Sequence, residues 1–202
     1  MTAAGVVLAA GASRRMGSPK AALLHEGRTF VACVLGALHG AGVHDVVVVT
    51  GAAEQAIADA LPAGAAVTLA RNPDPERGQL SSLKTGLRRL TDVAPRADAV
   101  VVALVDHPAV ASATVRALLD AAQALPGAAI VVPAHGGRRG HPVLFARALW
   151  AELLATPDES GARAVVRADP ARVVEVAVDD RGILVDVDTP DDLRRLRAHP
   201  GR

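Results

Sequence analysis

The chain has few aromatic residues and a single cysteine. Its 202 residues include two phenylalanines, one tryptophan and no tyrosine, although half of them are apolar. A core of alanine, valine and leucine suits a parallel sheet of aliphatic strands covered by helices. One cysteine excludes an internal disulfide and a cysteine-based zinc site, and the apolar surroundings of Cys33 predict a buried structural thiol.

An excess of charge of one sign is also missing. The 22 basic and 21 acidic side chains give a net charge of +1, which argues against nucleic acid or an anionic membrane as the main partner. No stretch is long enough to cross a bilayer, and no basic segment precedes the first apolar run as in a secretion signal. We therefore expect a cytoplasmic protein of one domain, because 202 residues are few for two cores.

Aliphatic runs alternate with helical segments along the chain. This alternation indicates an α/β fold with a mostly parallel sheet, whose ligand crevice lies at the carboxyl ends of the strands. Strands are predicted at 5–10, 45–50, 66–70, 99–104 and 128–133, and helices at 29–40, 54–61, 80–91 and 112–125.

The pattern changes in the last third of the chain. The turn-rich segment 135–140 predicts a hairpin that returns through 143–145. Thr189 as N-cap and Pro190 at the first helical position predict a final helix. Two further strands are expected between these elements, at 173–178 and 183–186.

The stretch from Leu8 to Lys20 carries the strongest chemical signal. It leaves a buried strand and continues in a loop of small residues, among which stand the two cationic residues Arg14 and Arg15. Small residues let backbone N–H groups approach phosphate oxygens, and an arginine can bind two such oxygens at once. Neither the Gly-x-x-x-x-Gly-Lys-Ser/Thr pattern nor the Gly-x-Gly-x-x-Gly spacing is present. The loop predicts a nucleoside triphosphate site of another class; a solvated turn is the structural alternative.

Carboxylates follow two of the predicted strands. Asp106 comes directly after the apolar run 99–105, at the edge where the first loop lies. Asp186 and Asp188 end the last predicted strand, and strand alternation places both side chains on one side. Because Mg²⁺ prefers oxygen ligands, often one or two carboxylates with substrate phosphates, these residues are candidate ligands. Helix capping is the structural alternative.

Two further polar segments are candidates for ligand contact. Gly78–Ser82 opens a helix whose N-terminal N–H groups favour an anion or a polar base edge, although Ser81 and Ser82 are equally suited to capping. The hairpin carries Arg139 and His141, which are suitably placed to receive an anionic acceptor. An ordinary surface turn is the alternative there.

Several motifs form an ordered series along the whole chain. They are Leu8-Ala-Ala-Gly-x-Ser-x-Arg-Met-Gly-x-x-Lys20, Asn72-Pro with Gly78-Gln-Leu-Ser-Ser-Leu83, Val105-Asp-His-Pro108, Arg139-Gly-His-Pro142, Gly161-Ala-Arg163 and Asp186-Val-Asp-Thr-Pro-Asp-Asp192. The series resembles the MobA-like nucleotidyltransferases, and within them the molybdenum-cofactor cytidylyltransferases. The first and last motifs are fairly specific, whereas the middle ones count only as a series.

The resemblance implies a three-layer Rossmann-like nucleotidyltransferase fold of the α/β class. Its central sheet would be mostly parallel, with a C-terminal hairpin and strand addition. A single domain over residues 1–202 is implied, with the triphosphate-binding part in 1–110 and the acceptor-binding part in 111–195.

The resemblance also assigns roles to residues. Arg15, Lys20 and Asp106 are the implied catalytic residues, and Asp106 and Asp188 would hold Mg²⁺, with Mn²⁺ as an alternative; Asp186 is left a supporting role. The implied nucleotide-binding residues are Leu8, Ala9, Ala10, Gly11, Ser13, Arg15, Lys20, Asn72, Gly78, Ser81 and Ser82. The implied acceptor-binding residues are Arg139, Gly140 and His141.

The implied reaction transfers CMP from CTP to the terminal phosphate of the molybdopterin cofactor and releases pyrophosphate. Leu-Ala-Ala-Gly is typical of members that use CTP and Leu-Ala-Gly-Gly of those that use GTP, so Ala10 indicates cytosine. A molybdoenzyme client is implied in turn. The alternatives are GTP as donor, a sugar phosphate or deazaflavin precursor as acceptor, and, from another class, a non-catalytic cofactor carrier.

Overall fold

The structure is a computed structural model that describes residues 1–13, 16–125 and 127–198. Within these ranges the strands are β1 (Ala3–Leu8), β2 (Leu24–His25), β3 (Arg28–Thr29), β4 (Val46–Thr50), β5 (Thr68–Arg71), β6 (Ala99–Leu104), β7 (Ile130–His135), β8 (Arg138–Arg139), β9 (Val143–Ala146) and β10 (Val173–Ala177). The α-helices are α1 (Phe30–Gly40), α2 (Glu54–Asp59), α3 (Gln79–Val93), α4 (Ser112–Ala124), α5 (Trp150–Ala155), α6 (Ala162–Ala168) and α7 (Pro190–Ala198).

One mixed sheet organises the molecule, with the strand order β10-β7-β9-β6-β1-β4-β5 and with β8 beside β7. β1 pairs in parallel with β4 and β6, β5 with β4, and β10 with β7. β9 lies antiparallel between β6 and β7. The expected mostly parallel sheet is confirmed, and so is the hairpin after β7, which turns through Gly136 and Gly137, both at positive φ.

Aliphatic side chains alternate along the strands and fill both faces of the sheet. Val6 and Val7 are both fully buried, but they belong to different apolar clusters. The Val7 face packs against α1 and α4, and the Val6 face packs against α3, α5 and α6. The α/β fold therefore has the expected three layers, with the carboxyl ends of β1 and β6 open to solvent between them.

The strand predicted at 183–186 is wrong, because Arg181–Leu184 forms a turn of 3-10 helix. An added Cβ at Gly182 would lie 2.6 Å from the carbonyl carbon of Ala109, so this turn packs directly on the chain before α4. Asp180 reinforces the contact by accepting hydrogen bonds from the Ala111 N–H at 2.9 Å and the Thr114 hydroxyl at 2.5 Å. Tertiary contacts override the strand-like pattern here.

The start of α7 agrees with its sequence. Thr189 Oγ1 accepts a hydrogen bond from the Asp192 N–H at 3.3 Å, and Asp192 Oδ2 accepts one from the Thr189 N–H at 2.8 Å. This reciprocal pair is a capping box with aspartate at its third position. It fixes the backbone immediately after Asp188.

Cys33 differs from its expected environment, because it is only half-buried. Its thiol lies 3.8 Å from the carbonyl oxygen of His25. Burial raises the pKa of the thiol, which Arg28 partly offsets. A protonated thiol of this kind is a poor nucleophile.

Candidate active site

A cavity of about 450 Å³ opens at the carboxyl ends of the central strands. The predicted residues that line it are Leu8, Ala9, Ala10, Gly11, Ser13, Lys20, Gly78, Ser82, Asp106 and Asp188. Residues that the sequence reasoning missed also line it, among them Ala53, Pro75 and Glu76. Nothing in their local patterns distinguishes them from ordinary loop residues. The structure therefore brings the first loop, the start of α3 and two of the three candidate carboxylates, Asp106 and Asp188, to one cavity.

The first loop leaves β1 and folds back on itself. Ser13 adopts a left-handed backbone with φ of 48°, and its hydroxyl oxygen accepts a hydrogen bond from the Lys20 N–H at 3.0 Å. This contact returns the chain so that Lys20 faces the cavity. Arg14 and the predicted catalytic residue Arg15 lie outside the described residues.

Close packing explains the small residues at the base of this loop. Ala10 is 6% exposed, and an added Cβ at Gly51 would lie 2.5 Å from its carbonyl oxygen. The loop after β4 therefore rests directly on the backbone of the first loop. The close approach keeps backbone groups, rather than side chains, at this wall of the cavity.

Lys20 lies between the two carboxylates. Its Nζ is 3.0 Å from Asp106 Oδ2 and donates a further hydrogen bond to Asp188 Oδ1. Burial disfavours the ammonium, but the hydrogen bond to Asp188 and the charge of Asp106 outweigh this effect and raise the pKa of Lys20. The ammonium therefore stays charged and marks a position where a cation is stabilised.

Backbone contacts hold the two carboxylates together. The Val187 N–H donates to the Asp106 carbonyl oxygen at 3.0 Å, which brings Asp188 beside Asp106. Asp186 is exposed and does not line the cavity, so the structure does not bring it to the pair, and residues 185–188 are not a strand. The prediction that Asp186 and Asp188 lie on the same side of a strand is therefore wrong.

The carboxylate pair fits a hard divalent cation. Asp106 and Asp188 each place an oxygen against one cationic group, and both line a cavity with room for further oxygen ligands. Among the residues that the structure describes, no cluster of three or more His, Cys, Asp and Glu side chains offers a protein-only metal cage. Two carboxylates completed by substrate phosphates are the arrangement that Mg²⁺ commonly uses.

Asn72 supports the cavity wall from behind. It is 4% exposed, and its side-chain amide donates to Ser81 Oγ at 2.9 Å and Ser82 Oγ at 3.0 Å. The side-chain carbonyl oxygen of Asn72, Oδ1, accepts a hydrogen bond from the Asp74 N–H at 3.0 Å. Ser82 lines the cavity, whereas Asn72 and Ser81 do not. The network joins the end of β5 to the start of α3.

The predicted acceptor residues lie outside this cavity. Arg139 Nε and Nη2 contact Glu175 Oε1 at 2.8 and 2.5 Å, in an exposed pair at the edge of the sheet. His141 lies 5.4 Å, between ring centroids, from His107, which adjoins Asp106. Burial and the charge of His107 lower the pKa of His141 to about 4, although Asp106 opposes the shift. His141 is thus neutral at neutral pH, and its acceptor contact stays a prediction.

Gly140 has a packing reason to be glycine. An added Cβ would lie 2.8 Å from the carbonyl carbon of Ile183. Gly140→Ala is therefore expected to lower the free energy of unfolding by about 2 kcal/mol through overpacking. Urea denaturation measures this, and Gly11→Ala is the control because no atom lies within 4 Å of its added Cβ. Equal stability of the two variants would contradict the packing argument.

In the part of the chain that the structure describes, no helix combines the length and apolar character needed to cross a membrane.

Comparisons with known proteins agree with this fold. Residues 5–174 match the family described as MobA-like NTP transferase domain. Nicotine blue oxidoreductase from Paenarthrobacter nicotinovorans is 34% identical over 204 residues, which cover 95% of each chain.

Solved structures extend the likeness. The crystal structure of Rv0371c from Mycobacterium tuberculosis has a TM-score of 0.83 and 34% identity over 98% of each chain, and its complex with manganese has a TM-score of 0.78 and 32% identity over 98% of this chain and 99% of that one. A nucleotidyl transferase from Methanothermobacter thermautotroptrophicus has a TM-score of 0.80 and 27% identity over 98% of this chain and 97% of that one. The chain belongs to the MobA-like NTP transferase family, a family of nucleotidyltransferases.

Proposed function

We propose that the protein transfers CMP from CTP to the terminal phosphate of the molybdopterin cofactor, with Mg²⁺ or Mn²⁺. The observation that carries this proposal is Lys20 held between Asp106 and Asp188 in a cavity walled by the first loop. That donor set suits triphosphate chemistry because it combines a cationic group, two metal-binding oxygens and closely approachable backbone.

The proposed reaction is a phosphoryl-centre displacement. An oxygen of the acceptor phosphate attacks the α-phosphorus, the bond from the α-phosphorus to the bridging oxygen breaks, and pyrophosphate leaves with the electron pair. The acceptor is already ionised, so no protein nucleophile or strong base is required, and positioning and charge neutralisation dominate. Asp106 and Asp188 would hold the divalent cation, which when bound supplies neutralisation of phosphate charge. Lys20 and Arg15 would bind the triphosphate.

The two parts proposed for the domain meet at this cavity. Among the described residues, every one that lines the cavity except Asp188 belongs to residues 1–110, the proposed triphosphate part. Asp188 comes from the proposed acceptor part, 111–195, so one carboxylate from each part would face the bound phosphates. His141 beside His107 is the proposed acceptor contact nearest this junction. We propose a cytoplasmic location and a molybdoenzyme client for the product.

Ala10 supports cytosine as the base. With Mg²⁺ and molybdopterin, pyrophosphate release with CTP is expected to exceed that with GTP by about tenfold, since small differences in pocket shape give such ratios. Ala10→Gly is expected to lower the ratio of the CTP rate to the GTP rate. The substitution removes a methyl group from a position that is 6% exposed and so changes the shape of the pocket. A phosphate-release assay coupled to a pyrophosphatase measures both. Equal rates or a preference for GTP in the unaltered protein would overturn the base assignment.

The same assay, repeated with different acceptors, separates the remaining alternatives. Turnover with a sugar phosphate or a deazaflavin precursor, but not with molybdopterin, would replace the acceptor and retain the chemistry. Molybdopterin binding without pyrophosphate release would favour a carrier. One relative is named an oxidoreductase, so a reduced nicotinamide cofactor with a dye acceptor belongs in the panel. Dye reduction without nucleotide turnover would replace the proposal.

A further inference from the structure

An ion cluster of Asp158, Lys84 and Arg77 lies behind the wall of the cavity formed by the chain around Gly78, with Asp158 and Lys84 largely buried. The Asp158 side chain is only 7% exposed and touches two cations. Its Oδ1 lies 2.7 Å from Lys84 Nζ, and its Oδ2 lies 2.6 Å from Arg77 Nη2. Asp158 itself does not line the cavity.

Arg77 connects this cluster to the cavity. It ends the 3-10 turn Pro75–Arg77, and Pro75, Glu76 and Gly78 on either side of it line the cavity. Gly78 has φ of 102°, a backbone conformation that residues with side chains rarely adopt. Because glycine has the greatest backbone freedom, contacts with neighbouring residues must hold the chain at this point. The ion pair to Asp158 anchors this segment from behind.

Lys84 holds the carboxylate in place. Its Nζ also donates to the Thr156 carbonyl oxygen at 2.6 Å, which ties α3 to the chain before Asp158. Among 22 lysines and arginines the sequence has only two lysines, Lys20 and Lys84, and each lies against carboxylate oxygen. A compact point charge, rather than a broad guanidinium, suits a confined position such as the Lys84 Nζ.

We propose that Asp158 is a positioning residue for the nucleotide: held by Lys84, it fixes Arg77 and so the cavity wall Pro75–Ser82. The inference rests on the proposed function of the cavity as the triphosphate site. Loss of the carboxylate releases Arg77 and lets the wall move, while Asp106, Asp188 and Lys20 stay in place. The variant therefore loses nucleotide affinity and keeps its rate at saturation.

The test compares Asp158→Asn with a matched control. Calorimetric titration with CTP and Mg²⁺ is expected to show about tenfold weaker binding, with an equal rise in KM and with kcat changed by less than about twofold. Hydrogen exchange at the N–H groups of Arg77 and Gly78 is expected to speed up without any nucleotide. Glu152→Gln breaks the two-bond pair with Arg172 outside the cavity, and is expected to lower stability and leave both readouts unchanged.

Two further variants guard against a fold effect. Arg77→Ala removes a side chain that is 63% exposed, and is expected to reproduce the rise in KM with little loss of stability. Asp158→Asn with Lys84→Met removes both buried charges, and is expected to recover stability but not affinity.

The outcomes distinguish failure of the positioning role of Asp158 from failure of the proposed function on which it rests. Unchanged CTP affinity in Asp158→Asn overturns the positioning role. If Arg77→Ala weakens CTP binding while Asp158→Asn does not, Arg77 contacts the nucleotide directly. If the unaltered protein binds neither CTP nor GTP, the proposed function fails instead. Hydrogen exchange tests the positioning role of Asp158 whether or not the protein binds nucleotide. Unchanged exchange at Arg77 and Gly78 in Asp158→Asn overturns that role.

Discussion

Asp106→Asn is expected to lower Mg²⁺-dependent pyrophosphate release on the order of a thousandfold, the scale of losing one group that stabilises transition-state charge. The amide keeps the shape of the side chain but removes the negative charge that Lys20 now contacts at 3.0 Å. Of the proposed pair of metal ligands, Asp188 alone would then keep its negative charge. The rate at saturating CTP over a range of Mg²⁺ concentrations measures the loss.

Asp186→Asn is the matched control for this result. Asp186 lies in the same terminal motif as Asp188, but it is exposed and outside the cavity, so its variant is expected to retain turnover. Binding of Mn²⁺, followed by its electron paramagnetic resonance signal, gives a second readout that needs no substrate. Full turnover in Asp106→Asn would remove Asp106 from the metal role.

Lys20→Met is expected to affect metal binding and turnover in opposite directions. The ammonium lies between the two carboxylates, where its charge competes with any cation that would bridge them. Its removal is expected to tighten Mn²⁺ binding to the nucleotide-free protein about tenfold, and to slow turnover about a hundredfold by withdrawing a phosphate contact. The raised pKa of Lys20 keeps this competition constant through neutral pH.

Lys84→Met is the control for the metal measurement, because Lys84 contacts Asp158 rather than the carboxylate pair. It is expected to leave Mn²⁺ affinity unchanged. If Lys20→Met also leaves Mn²⁺ affinity unchanged, the metal and the ammonium do not share a position. Faster turnover in Lys20→Met would show that the lysine only restrains the pair.

Local patterns predicted the elements of the sheet well, since runs such as 46–49 and 99–103 are aliphatic throughout and need burial on both faces. They did not reveal that β9 inserts between β6 and β7, because strand order depends on contacts far apart in the chain. The turn at 181–184 was missed for the same reason: its conformation is imposed by the start of α4.

The candidate site shows the same division. The positions of Lys20 and Asp106 after apolar strands predicted that they lie at one edge of the sheet, and the structure brings them together with Asp188. The residue pattern alone did not choose between Asp186 and Asp188; the family resemblance did. The Asp158 cluster was not predictable, since its members are unremarkable charged residues in separate segments. The contact between His107 and His141 likewise joins segments far apart in the chain, one after β6 and one after β8.

The backbone bond from Val187 to Asp106 has a consequence for synthesis of the protein. Lys20 and Asp188 are 168 residues apart in the chain, so the ribosome synthesises the second carboxylate long after the lysine and Asp106. A nascent chain that has folded only through β6 presents Lys20 and Asp106 alone, and so carries only half of the acidic pair. Under the proposed function, an incomplete chain lacks the second metal ligand until the segment around Val187 docks beside Asp106.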